Sequence, residues 1–458
     1  MLLSAFLHII LAWGQVFAQT RTFRRAQNQA LGLLVCLGRR TLSRIIWTNG
    51  GQHRSWSGEY FLYSRSPWDA QQLFIPILQQ ALPYCPGPLL GVAVDDTRLH
   101  KTGRCIAQAS YHRDPLSPPF HTNLMLGLRF LQASLLLPLH RSQDCDARAL
   151  PIRFESVPVV KKPGKRADDQ AHQHYQQERK RKNLSCHFVS MMNTLLGLCT
   201  QSSGSEKILV FAGDGSFCNR TVLAGVPQGA HLIARTRKDA VLCFPAPLGS
   251  SRFYAQEKFT PEQVRQDETL PWNTARIFYG GQWRQIRYKQ VENVLWQGGG
   301  RRRRLRLLVL APTPYYKRKS GRLYYRQPAY LLTTLLQGHT EPLLQIYFDR
   351  WQIEVNHREE KDTLGVGQAQ LWNPDSVPKQ PAFAVACYSA LLLASLQAFG
   401  VQRSDVYAPL PKWRRHARRP SCLDLITLLR KEMVEHPELL RPLGIELTDR
   451  SLAAAAAA

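Results

Sequence analysis

Tyr347-Phe348-Asp349-Arg350-Trp351-Gln352-Ile353-Glu354-Val355-Asn356-His357-Arg358-Glu359-Glu360-Lys361 is the stretch on which the reading of this chain turns. It lies in a predicted long helix, Glu341–Lys361. On an α-helix, offsets of three, four and seven fall on one face. Tyr347, Arg350, Glu354 and Lys361 therefore form one polar stripe, with a carboxylate in the middle and cations on either side. A merely solvated face gathers charges too, but has no reason to put an aromatic at its head. Glu359 and Glu360 are rival acids that lack this framing.

Two other acidic sites follow short apolar runs. Leu89–Val94 leads into Asp95-Asp96-Thr97, and Lys207–Ala212 leads into Gly213-Asp214-Gly215. Both runs read as buried strands. Acids at the C-terminal ends of adjacent strands converge on one crevice in an open sheet. With Glu354 they would form a hard, all-oxygen site suited to two Mg²⁺ ions, or Mn²⁺ in their place, rather than zinc. Such a site serves in-line phosphoryl displacement, with Arg350 and Lys361 at hand for phosphates.

The composition agrees. The chain has 458 residues, 60 Lys+Arg against 33 Asp+Glu, and a formal charge of +27 spread along its length. That balance suits a protein that follows a phosphate backbone, and the length allows two to four domains. Ten cysteines with no Cys-x-x-Cys pair argue against zinc ribbons and disulfide scaffolds. Met1–Thr20 is apolar, but no Lys or Arg precedes Arg21; it reads as a buried helix rather than a leader or a membrane span.

At these residues a resemblance becomes specific. Tyr-x₂-Arg-x₃-Glu-x₆-Lys resembles the YREK signature of the cut-and-paste branch of bacterial insertion-sequence DDE transposases, over roughly residues 85 to 375. The resemblance implies an α/β fold: an RNase H-like catalytic core with a β-rich insertion, flanked by helical N- and C-terminal regions. It implies metal-dependent nicking of double-stranded DNA at element ends, attack by the freed 3′-OH, often through a hairpin, and joining to target DNA. A homodimer on DNA, at the nucleoid in a bacterial cytoplasm and away from membranes, would follow. Asp214 and Glu354 take the places of the second and third acids. Asp95 and Asp96 both fit the first; strand alternation lets only one face the site, and Asp95 is favoured. Tyr347, Arg350 and Lys361 become DNA-phosphate contacts.

The organisation expected from these readings is a helical DNA-binding region at 1–85 and the first part of the core at 86–245. The β-rich insertion follows at 246–330, then the second part of the core with the Glu helix at 331–400 and a helical region at 401–458. Within 1–85, a glycine-turned helix pair around Gly38-Arg39-Arg40 is either DNA-facing or simply a basic surface. Strands are expected at Ile106–Tyr111, Leu124–Pro138 and His231–Arg237, and a basic loop then one helix across 161–198. Arg235 and Arg237 close a strand beside Asp214, where they could meet the DNA backbone. Gly298–Arg304 reads as a flexible basic tip, with Arg301 and Arg302 as phosphate contacts. Trp272, Trp283 and Trp296 are candidates for base stacking or for the core of the insertion. His172-x-His174 reads as a solvated helix. The helix from Ala382 is either a dimer interface or a core element. A decayed, DNA-binding relative or another RNase H-like nuclease such as a junction resolvase would share parts of this pattern.

Overall fold

An unbroken apolar run with no polar alternation makes a strand that is covered on both faces, and Leu89–Val94 behaves so. It opens β1 (Leu89–His100), an interior strand of a ten-stranded mixed sheet. The computed structural model describes residues 1–445 apart from 54, 115–116, 119, 140–144, 203–206, 318–320 and 414–416. Beside β1 run two parallel strands, β5 (Ile208–Gly213) and then β6 (Ala230–Arg235). On its other side lies antiparallel β3 (Leu124–Leu137), whose outer edge carries β2 (Ser110–Arg113) and β4 (Arg148–Ser156) end to end. The order β4-β3-β1-β5-β6, with only β3 reversed against β1, is an RNase H-like sheet flanked by helices, as the sequence led us to expect.

Past β6 the same sheet continues. β12 (Ala329–Thr333) pairs antiparallel with β6, followed by β9 (Leu305–Leu310), β8 (Trp283–Val294) and β7 (Asn273–Phe278). The strands of residues 246–330 are thus hydrogen-bonded onto the core sheet through β12. Only β10 (Pro314–Tyr316) and β11 (Leu323–Tyr325) form a separate two-stranded ribbon.

Period-2 alternation sorts each strand's side chains to two faces. Leu89, Ala93, Val210, Ala212, Ile233 and Leu331 face α10 (Thr340–Asp349) and α11 (Gln352–Arg358), where they pack with Leu343, Leu344, Ile346 and Ile353. Gly91 lets this helix layer close down: a Cβ there would meet the Ile346 side chain at 2.9 Å. The opposite face packs on α7 (Leu184–Gln201) through Phe188 and Phe211. It also packs on a helical layer built from both ends of the chain.

That layer explains the apolar N-terminus. Leu2, Leu3, Phe6, Ile9, Ile10 and Trp13, on or just after α1 (Leu2–Leu11), are wholly buried, at roughly 2 kcal/mol each. They pack on α12 (Ser376–Phe399) and α13 (Cys422–Glu435). By length and composition α12 could cross a membrane, but 83% of its apolar window is inside the protein. The helix from Ala382 therefore completes the core and does not offer a free dimer face. The buried Glu432 of α13 accepts from the free amides of Leu2 (3.1 Å) and Leu3 (2.6 Å), joining the two chain ends. A carboxylate at a helix N-terminus satisfies orphan donors and complements the dipole. Glu432→Ala is expected to lower stability by about 1–3 kcal/mol, measured by urea unfolding; an unchanged midpoint would mean that the cap contributes nothing.

Several expectations need correction. The strand expected at Ile106–Tyr111 starts only at Ser110, because Ala109 N–H turns back to Ile106 O. The single helix expected to reach Leu198 is two, α6 (Asp169–Arg181) and α7, since Asn183 caps the second by accepting from Cys186 N. Asp95 and Asp96 do not close β1. It runs on to His100 because β3 continues to pair after β5 has ended. The long helix Glu341–Lys361 is also broken. Bonds from Ile353 to Arg350 and from Glu354 to Trp351 tighten the junction of α10 and α11, and residues 359–363 form a π-turn. The glycine-turned helix pair exists as α2 (Thr20–Val35) and α3 (Leu42–Thr48). Its Arg40 points inward, donating to Leu33 O.

Candidate active site

The parallel register of β1 and β5 pairs Ala93 with Ala212. Two residues further on stand Asp95, within β1, and Asp214, just past the end of β5. Both follow the alternation onto the α10–α11 face. Asp96 points to the other face, where its Oδ2 takes Arg129 (2.8 Å) and Arg98 (3.6 Å). One aspartate is thus neutralised within the fold and its neighbour is not.

Burial, then the negative charge of Asp214, pushes the Asp95 carboxyl up to about 7, while Arg350 works against the rise. Burial also raises Glu354, with Arg350 and Asp214 as its charged neighbours. Tyr347 is raised by burial beside Arg350, Arg235 and Asp214. Lys361 is lowered by burial, with Glu360, Asp362, Arg98 and Asp95 around it. Asp95, Asp214, Glu354, Tyr347, Arg350, Lys361 and Arg235 are therefore linked, pair by pair, as one set of charged neighbours. The π-turn carries Lys361 to it by a route that straight helical spacing did not describe.

Each acid leans on a local partner. Asp214 Oδ1 accepts from Ser216 N (2.9 Å) and Ser216 Oγ (2.6 Å). Glu354 Oε1 lies 3.7 Å from Arg350 Nη2, and Arg350 Nη1 is buried without a hydrogen-bond partner. Among the described residues no three His, Cys, Asp or Glu side chains close on a single point. The acids interact in pairs, Asp95 with Asp214 and Asp214 with Glu354. The donor set is nonetheless all carboxylate oxygen, half-buried and short of positive charge at Asp95, which fits hard divalent cations.

The other candidates are dispersed. Arg237 is exposed and paired with Asp239. With Arg235, Lys238, Arg265 and Trp296 it lines a cleft of about 920 Å³ that meets the site at Gly215. Trp272 lies between Arg287 (5.0 Å) and Lys289 (4.8 Å), and Trp283 sits under Arg276 (4.7 Å). Gly298–Arg304 is not a loose tip: Gly299 and Gly300 are buried in a turn around Trp296, and a Cβ at Gly299 would collide with its ring. Arg301 and Arg302 on that turn are exposed, Arg302 lying over Phe253. His172 and His174 lie on α6, which buries no residue.

Sequence reasoning missed the support behind the acids. Asn356 accepts from Ser134 Oγ (3.1 Å) and donates to Ala149 O (3.0 Å) and Tyr388 Oη (3.1 Å); Tyr388 in turn donates to Glu359. Arg419, in the basic patch Lys412–Arg419, is partly buried and lowered to about 10 by desolvation. It donates to Ala147 O (2.6 Å) and Gln352 Oε1 (2.8 Å), pinning the start of α11. Arg414–His416 of that patch lie outside the described residues.

Glu360, a rival acid, is fully buried and raised to about 8, by desolvation first, with Gln132 bonding to it in opposition. A folded-state pKa above the unfolded value stabilises fully below that unfolded value, here near 4.5, and the benefit is lost as pH rises through about 8. Glu360→Gln is therefore expected to stabilise the protein by on the order of 2–4 kcal/mol at pH 8.5 and little at pH 4.5. Melting curves of both proteins across that range check this. Asp95 has the same sign, so part of the pH slope stays in the variant.

An RNase H-like sheet with acids on adjacent parallel strands and on the facing helix defines a nuclease architecture. A family model described as DDE superfamily endonuclease matches residues 15–303, more than half of the chain, and the chain belongs to that family. The match includes Asp95 and Asp214 and ends before Glu354. No curated protein matches the sequence significantly.

Proposed function

We propose that this DDE endonuclease is a transposase of the YREK branch, which nicks double-stranded DNA at element ends and joins the 3′-OH ends to target DNA. The observation that supports the reading is the pairwise charge coupling that links Asp95, Asp214 and Glu354 with Tyr347, Arg350 and Lys361. Asp95, Asp214 and Glu354 would hold two Mg²⁺ ions, or Mn²⁺ in their place. When bound, the ions supply activation of the attacking oxygen and stabilisation of the leaving 3′-oxygen. Ser216 orients Asp214 through its two hydrogen bonds. Arg350 balances the acids and, with Lys361 and Tyr347, receives the phosphates on either side of the scissile bond. The cleft with Arg235 and Arg237 is the path of the strand leaving the site, and Arg301 and Arg302 are more distant backbone contacts. Two ends are joined in one event, so two copies act together on DNA.

The deciding experiment incubates the full chain with duplex DNA carrying the flanking element ends, in Mg²⁺, Mn²⁺ or Ca²⁺. Breaks at the ends in Mg²⁺ and Mn²⁺ but not Ca²⁺, followed by joining to a target duplex, are expected. Cutting without joining would leave a nuclease that is not a transposase. Binding with no cutting would leave a DNA-binding relative.

A further inference from the structure

Between β4 and α7 the chain makes a helix that touches almost nothing. All thirteen residues of α6 are at least partly exposed and none is buried. Its sequence is polar all round, Asp169-Gln170-Ala171-His172-Gln173-His174-Tyr175-Gln176-Gln177-Glu178-Arg179-Lys180-Arg181. Such a helix has no apolar face to dock, and an isolated helix of this length is marginal in water. Its internal supports are small. Asp168 caps the N-terminus by accepting from Ala171 N (2.7 Å), and Glu178 pairs with Lys182. These add about 1 kcal/mol and a few tenths respectively.

The charge on this segment is one-sided. Lys161, Lys162, Lys165 and Arg166 precede the helix, and Arg179, Lys180, Arg181 and Lys182 end it, all eight against Asp168, Asp169 and Glu178. Cations in a last turn do favour the helix dipole, but four in succession exceed what a C-terminus needs. The second cluster is tethered to the crevice. Three residues after Lys182, Ser185 Oγ accepts from Asn219 Nδ2 (2.9 Å), which also donates to Ser216 O (2.8 Å). Ser216 is the residue that holds Asp214. The helix therefore begins its cationic end at the rim of the Asp214 loop. It extends about 20 Å, at 1.5 Å per residue, to the first cluster.

We infer that α6 is an arm that lies along the phosphate backbone of duplex DNA beside the cleavage crevice, gripping it through Arg179–Lys182 and through the lysines before the helix. About 20 Å is a little over half a helical turn of duplex, so the two clusters meet phosphates on the same length of DNA. Bound DNA is the partner that the helix lacks within its own chain. The inference rests on the endonuclease reading, and its test separates the two.

The test is binding of the full chain to a labelled 40-base-pair duplex of mixed sequence, by fluorescence anisotropy over a series of salt concentrations. The variant Arg179→Gln/Lys180→Gln/Arg181→Gln/Lys182→Gln removes the second cluster from exposed positions. It is expected to melt like the wild type, to bind roughly ten- to a hundred-fold more weakly at 0.1 M salt, and to lose about two to four units of salt slope. The reverse variant, Gln173→Lys/Gln177→Lys, is expected to bind several-fold more tightly. Unchanged affinity in either variant, with a wild type that binds duplex, would overturn the arm and leave the nuclease intact. A wild type that binds no duplex at low salt would overturn the nuclease reading, and the arm with it.

Discussion

Glu354→Gln is expected to lower the rate of Mg²⁺-dependent DNA cleavage by at least about 10³-fold while leaving DNA binding intact or tighter. The substitution keeps shape and removes one negative charge. Glu354 stands 3.7 Å from Arg350 across the junction of α10 and α11, with Asp214 as its other charged neighbour. A neutral amide there gives divalent ions one anionic donor fewer, and the transition state loses charge stabilisation that only the ions deliver. Binding should not suffer, because the phosphates then meet less repulsion. Asp214→Ala is expected to behave likewise and, in addition, to let Asp95 ionise at lower pH, since the Asp214 charge helps to hold Asp95 near 7. Single-turnover cleavage beside anisotropy titrations reads both effects. A Glu354→Gln protein that cuts within tenfold of wild type would remove Glu354 from the acids.

The other large effect concerns support rather than chemistry. Asn356→Ala is expected to cost on the order of 2–4 kcal/mol of stability. Asn356 is 2% exposed and joins β3, β4 and α12 to the helix that bears Glu354. Truncation leaves the Ser134 hydroxyl and the Ala149 carbonyl without their partner in a dry place, and the cost lies in those unmade bonds. Glu354 sits two residues before Asn356, so looser packing of α11 should also slow cleavage in protein that remains folded. Urea unfolding gives the first number and cleavage at low temperature the second. A loss below about 0.5 kcal/mol would mean that the network re-forms around a water.

The difference between these two experiments is also the difference between what could and could not be read in advance. Glu354 was legible because its neighbours at four and seven residues, Arg350, Tyr347 and Lys361, suit a phosphate site, and helical periodicity turns spacing into proximity. Asp95 and Asp214 were legible as polar ends to apolar runs. Asn356, Tyr388 and Ser134 were not, because each is an ordinary residue in an ordinary segment. Their meaning comes from meeting across separations of 32 to 222 residues.

By itself the sequence determined the elements whose signals are local: the buried run before Asp95, the second run before Asp214, the acidic helix and the basic charge of the whole. Tertiary structure decided the rest. It turned Asp95 toward the helix layer and gave Asp96 to Arg129, because the sheet covers its two faces with different partners. It broke the long helix and redirected Lys361 through a π-turn, a choice made by where buried side chains fit rather than by propensity. It also drew the N-terminal helix onto α12 and α13, and ran the strands of 246–330 into the core sheet. Periodicity reports which face of a segment is apolar; only packing reports which distant segment covers it.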